Sequence, residues 1–414
     1  MNKLSKFVHI FSFNMNKVVY FVYIESRKYN KMEKIYSVGT NQKQPEGFSA
    51  FIPGPFPVEG GYQFDAAILK KSHEAVRLLG KLDGITQLLP EFEFFLLMYL
   101  RKDATASSQI EGTQATLINA IEVEIKPSEK SSTDVDDILH YIQALNLGLK
   151  RVKKDQFPLS LRLIRELHKA LMENARSSQF SNPGEFRESQ NWINGTRPDN
   201  ARFVPPPVSE MKVALSQLEK FIHSDDAIAN IIKAALLHAQ FETIHPFLDG
   251  NGRTGRMLIT LYLWHIGYLE NPILYLSSYF KQHQQVYYNR IEDYHNGKID
   301  SWIDFFLEGV IEIAESAITS VAEITNLRQR DMIKISQLGK RASESAMTVF
   351  NNLFTQPIVN VTRISKWTGF SQNGAQKVID RFIEMNILFK HDENVNYGQQ
   401  YYYKAYLDIF NKEA

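Results

Sequence analysis

Apolar residues recur at three- and four-residue spacing along most of the chain: Ala66–Leu79, Pro90–Glu122, Thr133–Val152, Ser160–Glu173, Val208–Ile222, Ala227–Glu242, Arg253–Ile266, Phe280–Asn296 and Ser301–Asn326. That spacing gathers apolar side chains on one helix face, so an all-α body is predicted. Two stretches break the pattern. Thr40–Tyr62 is rich in Pro and Gly and reads as an irregular arm. Gly184–Pro207 places strand-like residues around Asn194-Gly195, the pair best suited to a type I′ hairpin turn. A hairpin on a helical body leaves an exposed edge, to which an extended segment of another protein can add as a strand. On spacing alone, a connecting loop that curls back is the alternative.

After a long helix ending near Arg330, the pattern changes. A helix over Ser343–Leu353 is followed by a short strand over Ile358–Val361 and two helices around a tight turn in Ile364–Leu388. Strand-like Phe389–Lys390 and Gln399–Tyr403 come last, the order of a winged helix-turn-helix. Such units bind DNA or mediate protein contacts. The second helix carries Gln372, Asn373, Gln376 and Lys377 but few cations, which favours protein contact over DNA through 331–414. At the other end, two apolar bursts are interrupted by Asn14, Asn16 and Lys17. Neither approaches the ~20 apolar residues of a membrane span, and no cleavage site follows, so residues 1–39 read as an extension and Met32 as a candidate start.

A length of 414 residues points to two or three domains. The divisions expected are the extension 1–39, an N-terminal helical region 40–150, a core 151–330 and the winged-helix region 331–414. A net charge of +1 argues against a protein built mainly to bind nucleic acid or a membrane surface. The absence of cysteine excludes disulfides, thiolate metal sites and cysteine nucleophiles, and it suits a reducing, cytoplasmic setting.

The candidate chemistry lies in IHPFLDGNGRTGR, Ile244–Arg256, between two apolar helices. Gly250, Asn251 and Gly252 permit unusual backbone angles and bring N–H groups to a helix N-terminus, which is an anion hole. Arg253 and Arg256 add two cations on the first turn. There they oppose the helix dipole unless an anion, most simply an oligophosphate, compensates. Asp249 is a hard oxygen ligand suited to Mg²⁺, and His245 suits a general base at neutral pH. The glycines are neither a P-loop nor a dinucleotide fingerprint, because no G-K-[ST] follows and no strand precedes. His238 and His245 lack the H-E-x-x-H spacing of a zinc site.

HPFLDGNGRTGR resembles the Fic signature H-P-F-x-[DE]-G-N-G-R-x-x-R at every specified position. The resemblance extends from about Ala66 to Asn326. It implies a helical Fic core whose usual reaction moves AMP from ATP·Mg²⁺ to Ser, Thr or Tyr hydroxyls, with a hairpin flap at 184–207 on which the target protein docks. Carried over, His245 becomes the base and Asp249 the Mg²⁺ ligand. Gly250, Asn251, Gly252, Arg253, Thr254, Gly255 and Arg256 become the phosphate site. Tyr287, Tyr288 and Asn289 fall where the family closes its nucleotide pocket, and Tyr288 or Asn289 suits the adenosine. Upstream, SSQIEG resembles the inhibitory motif [ST]-x-x-x-E-[GN] of the N-terminally inhibited class, in which Glu111 would pair with Arg256 and Ser107 would share its helix face. Homodimers are also implied by the resemblance. Removal of AMP is a related reading, and a nucleotide sensor acting through the winged helix is the reading from a different class.

Overall fold

Helices begin where the sequence offers side chains to their otherwise unpaired amides. Asp65 accepts from Ile68 N at the start of α1 (Ala66–Thr86), and Ser160 accepts from Leu163 N at the start of α5 (Leu161–Met172). In the computed structural model, residues 34–87, 92–124, 133–173, 175, 182–392 and 398–411 are described. The body is helical: α2 (Phe92–Ile110), α3 (Leu117–Val123), α4 (Thr133–Lys153), α6 (Val208–Ile222), α7 (Asn230–Ile244), α8 (Asn251–His265), α9 (Ser277–Gln282), α10 (Gln284–His295) and α11 (Ile299–Ser336). Among the described residues, no helix is long and apolar enough to cross a membrane.

At the centre, α7 is buried on almost all sides and packs against α8, while α4 lies across α2, α5 and α8. The 38-residue α11 runs along α1 and α7 and reaches the C-terminal elements. These are α12 (Lys340–Leu353), β3 (Ile358–Val359), α13 (Val361–Thr368), α14 (Gln372–Glu384), β4 (Phe389–Lys390), β5 (Tyr401–Tyr402) and α15 (Lys404–Asn411), the order expected from sequence with one added helix. The three strands form an antiparallel sheet in the order β3-β5-β4.

Three expectations are corrected. The arm at Thr40–Tyr62 contains an antiparallel pair, β1 (Gly39–Lys43) with β2 (Ser49–Pro53). Alternation is too short there to stand out among prolines, and β2 is held by tertiary contact, Phe51 N donating to Val204 O at 2.9 Å. The single helix expected over Pro90–Glu122 is two. Pro90 lies outside the described residues, and the chain leaves α2 at Gly112 (φ +98°) before Thr116 and Asn119 cap α3 reciprocally. Finally, the hairpin at 184–207 closes through one bridge, Ile193 with Phe203, and not through a type I′ turn. Asn194 has φ +53°, but Gly195 does not adopt a positive φ. Gly195 serves close approach instead, since a Cβ there would meet the Ala201 backbone at 2.6 Å.

The C-terminal elements grip α2 and α3. Arg101, 2% exposed in the middle of α2, donates to both carboxylate oxygens of Glu124 and, at 2.8 Å, to Thr355 O. Arg363 donates to Glu124 O, Gln356 to Ile121 O, and the Tyr402 hydroxyl to the Glu122 carboxylate. Arg101→Met leaves Glu124 one-third exposed and without its guanidinium. We expect a loss of about 2–3 kcal/mol in denaturant unfolding, below the range for a fully buried pair because water screens Glu124. A change within 0.5 kcal/mol would show that the pair holds nothing together.

Candidate functional site

The loop between α7 and α8 is closed by its own side chains. His245 ends α7 in a left-handed conformation (φ +48°), its N–H still donating to Phe241 O. Asn251 then clasps Phe247 from both sides, Oδ1 accepting its N–H and Nδ2 donating to its carbonyl, each at 2.9 Å. Gly250 (φ +76°) turns the chain into α8 where a Cβ would meet Met172 Sδ at 2.7 Å.

Two residues that sequence reasoning overlooked support this loop. His168 of α5 stacks on Phe247 with ring centroids 3.7 Å apart. Its Nδ1 accepts from Gly184 N and its Nε2 donates to Asp249 O, both at 2.9 Å, a pairing that only the neutral ring satisfies. Burial lowers its pKa to about 4. Arg187, 1% exposed, donates to the carbonyls of His245, Ser189 and Pro206, tying the flap to the loop. Helical periodicity places His168 on the apolar face of α5, a signal that could have marked it. Nothing in the sequence around Arg187 marks that residue as buried.

Arg256, 4% exposed, projects from the first turns of α8 onto α2. Nε donates to Ser107 Oγ at 2.8 Å, and Nη2 donates to Ser107 O at 3.0 Å and to Glu111 Oε1 at 2.7 Å. Burial opposes its charge, but the Glu111 carboxylate more than compensates and raises its pKa. Gly252 lies directly beneath this pair, since a Cβ there would collide with the Glu111 carboxylate and approach Arg256 Nη1 at 2.9 Å. The anion expected at this helix N-terminus is therefore a side chain of the same protein. Its placement follows from a helix ending: Thr113 N bonds Ser108 O and Gly112 N bonds Gln109 O, a Schellman motif with Gly112 at C′ and Glu111 as the C-cap. The E-G pair thus presents the carboxylate at the very end of α2, not on its face. Lys281 and Gln284 donate to the carbonyls of Gln109 and Ile110, and the Tyr288 hydroxyl lies 3.4 Å from Ile110 O.

The remaining expected residues are divided. Arg253 lies 3.7 Å from Asp137 and 3.9 Å from Asp249. Asp249 is half-exposed at the loop mouth, its Oδ1 accepting from Gly250 N. Thr254 is fully buried, and a Cβ at Gly255 would point into Glu242, Phe241 and His238, so both face the core and not the loop. Tyr287 is buried with its hydroxyl on His238 Nε2 at 2.8 Å. Asn289 Oδ1 accepts from Arg202 of the flap and from Gln285.

A carboxylate on an arginine at a glycine-lined helix N-terminus, beside a histidine, defines an anion site that is self-occupied. Two Fic/DOC family models match, the family itself over residues 158–263 and its N-terminal region over 69–150. Over these two segments the chain matches the Fic/DOC family. It is similar to the protein adenylyltransferase Fic of Aedes aegypti, 26% identical over 223 residues that make up 52% of this chain and 41% of that protein. It is also similar to the protein adenylyltransferase Fic of Drosophila grimshawi, 27% identical over 207 residues, 48% of this chain and 39% of that one. The match therefore spans less than half the length of either relative. A Fic family protein from Desulfovibrio desulfuricans G20 shares the fold, with a TM-score of 0.53 at 16% identity over 82% of this chain and 97% of that one.

Two stability outcomes follow. Gly112→Ala puts a Cβ in open space but forces a left-handed backbone on alanine. Urea unfolding should show a loss of about 1 kcal/mol, and no loss would mean the helix end can rearrange. His168 titrates at about 4 when folded and near 6.5 when unfolded, so below pH 6.5 only the unfolded chain takes up its proton. The stability advantage of wild type over His168→Asn should therefore shrink as pH falls from 6.5 toward 4, by about 1.4 kcal/mol per unit. A pH-independent difference would contradict a neutral buried ring.

Proposed function

We propose that this protein is an adenylyltransferase that moves AMP from ATP to hydroxyl side chains of proteins, and that Glu111 restrains it. The pairing of Glu111 with Arg256 over Gly252 carries this reading, because a carboxylate there takes the cation and the helix terminus that a terminal phosphate needs. While it remains, ATP is excluded from the pose that aligns its α-phosphate.

Asp249 fits a Mg²⁺ ligand, being a carboxylate at the mouth of the loop. Among the described residues no group of three or more His, Asp or Glu converges, so an ion at Asp249 would take phosphate and water as its other ligands, the usual habit of Mg²⁺ with nucleotides. Bound there, it would supply neutralising charge. In the reaction, the hydroxyl oxygen bonds to the α-phosphorus, the bond to the bridging oxygen breaks, and pyrophosphate leaves. The hydroxyl proton passes to His245, whose pKa burial lowers to about 4, keeping the ring neutral and able to accept at pH 7. Arg253 and the α8 terminus hold the phosphates, and the flap carried by Arg187 lies beside His245 as the surface for an extended target segment.

The test is incubation of wild type, Glu111→Gly and Glu111→Gly/His245→Ala with ATP labelled at the α-phosphate and Mg²⁺. Label on protein should rise at least tenfold in Glu111→Gly and vanish in the double variant. Equal darkness in all three rejects AMP transfer, and equal label in wild type and Glu111→Gly rejects the restraint.

A further inference from the structure

One buried carboxyl beside the base is left without a task by this mechanism. Glu242 sits in the last turn of α7, its side chain 11% exposed and its Oε1 buried without a hydrogen-bond partner among the described residues. A carboxyl retained only for structure normally has its oxygens satisfied, because an orphaned buried acceptor costs about 1–3 kcal/mol. Its surroundings therefore call for another explanation.

The left-handed turn at His245 folds the imidazole back over Glu242. Nδ1 lies 3.3 Å from the Glu242 carbonyl and 4.0 Å from its Oε2. A carbonyl can only accept, so Nδ1 carries the proton of the neutral ring and Nε2 has the free lone pair. Gly255 makes room for this arrangement, since a Cβ there would meet Glu242 Oε1 at 2.6 Å. Arg256, Glu111, Tyr287 and Tyr288 are the other ionisable groups that act on Glu242, and His238 borders the same glycine. His245 in turn feels Arg187, Glu111, Asp249 and His295.

We propose that Glu242 is the positioning residue of the base, its carboxylate facing Nδ1 and stabilising the imidazolium formed when Nε2 of His245 takes the proton of the attacking hydroxyl. The inference rests on the AMP-transfer reading of the site. The hydroxyl O–H bond breaks as oxygen bonds to the α-phosphorus, pyrophosphate departs with the bridging oxygen, and the proton resides on Nε2 while Nδ1–H points at Glu242. Burial pushes the Glu242 carboxyl up to about 7, with Arg256 lowering it and Glu111 raising it. Its charge is therefore set near neutral pH, and withdrawal of Glu111 removes an influence that favours the uncharged form. The inhibitory glutamate would in this way restrain the base as well as the phosphate site.

Two measurements decide this. In histidine-labelled wild-type protein, the ring resonances of His245 should shift with a midpoint near pH 7, reporting Glu242, and Glu242→Gln should abolish that step. No step in wild type, or the same step in Glu242→Gln, overturns the proposal. In the Glu111→Gly background, Glu242→Gln should lower kcat about tenfold at pH 8 with KM for ATP unchanged, and should remove a limb of the pH profile that lies below 7. An unchanged kcat, or a loss confined to KM, overturns it too. If Glu111→Gly itself transfers no label, AMP transfer fails while the resonance titration still decides whether Glu242 and His245 are coupled.

Discussion

Arg256 emerges in the first turns of α8, where the exposed amides of the helix already carry partial positive charge, and it is 4% exposed. A guanidinium buried at such a place persists only beside an anion, and in this protein that anion is Glu111. The requirement reaches well beyond the pair. Gly252 must lack a side chain so that the carboxylate can approach, α2 must end at Gly112 so that Glu111 lies at its tip, and Ser107 must stand one turn earlier to take Nε. In the function proposed above, a substrate phosphate takes the same place, and the pair is then an exchangeable contact and not simply a brace.

The loop around this cation is rigid for reasons unrelated to phosphate. Asn251 clasps Phe247, neutral His168 joins α5 to Asp249 and Gly184, and Arg187 binds the flap to the carbonyl of His245. Each of these side chains is buried and spent on backbone groups. The site is thus shaped before any ligand arrives, which suits a reaction dependent on alignment and charge more than on covalent participation. The segment bearing Glu111 is held differently. Its far end, α3, is fastened to the C-terminal elements through Arg101, Glu124, Gln356 and Arg363. The segment bearing Glu111 therefore lies between the α7–α8 loop and the C-terminal elements, in contact with both.

Much of this was legible in the chain. Helical periodicity located nearly every helix, because a helix that buries one face must repeat its apolar residues. Local chemistry located the loop, because glycines and arginines at a helix start make sense only around an anion. What was misread turned on contacts that periodicity does not report, one of them distant in sequence. The strand pair at Gly39–Pro53 depends on Val204, and the flap closes on Ala201 and not through an Asn-Gly turn. Thr254 and Gly255 belong to the same motif as Arg256 but point into the core, since neighbouring positions on a helix face different directions.

The sequence by itself determined most of the helices, and it marked the glycine- and arginine-rich helix start, a candidate base and a carboxylate that could oppose the arginine. These depend on backbone preference and on the charge of nearby residues, both local. Only the tertiary structure decided that Glu111 reaches Arg256, that His168 and Arg187 brace the loop, and that Glu242 lies against Nδ1 of His245. Burial, tautomer and pKa arise from which groups other parts of the chain bring near, and that is settled by packing.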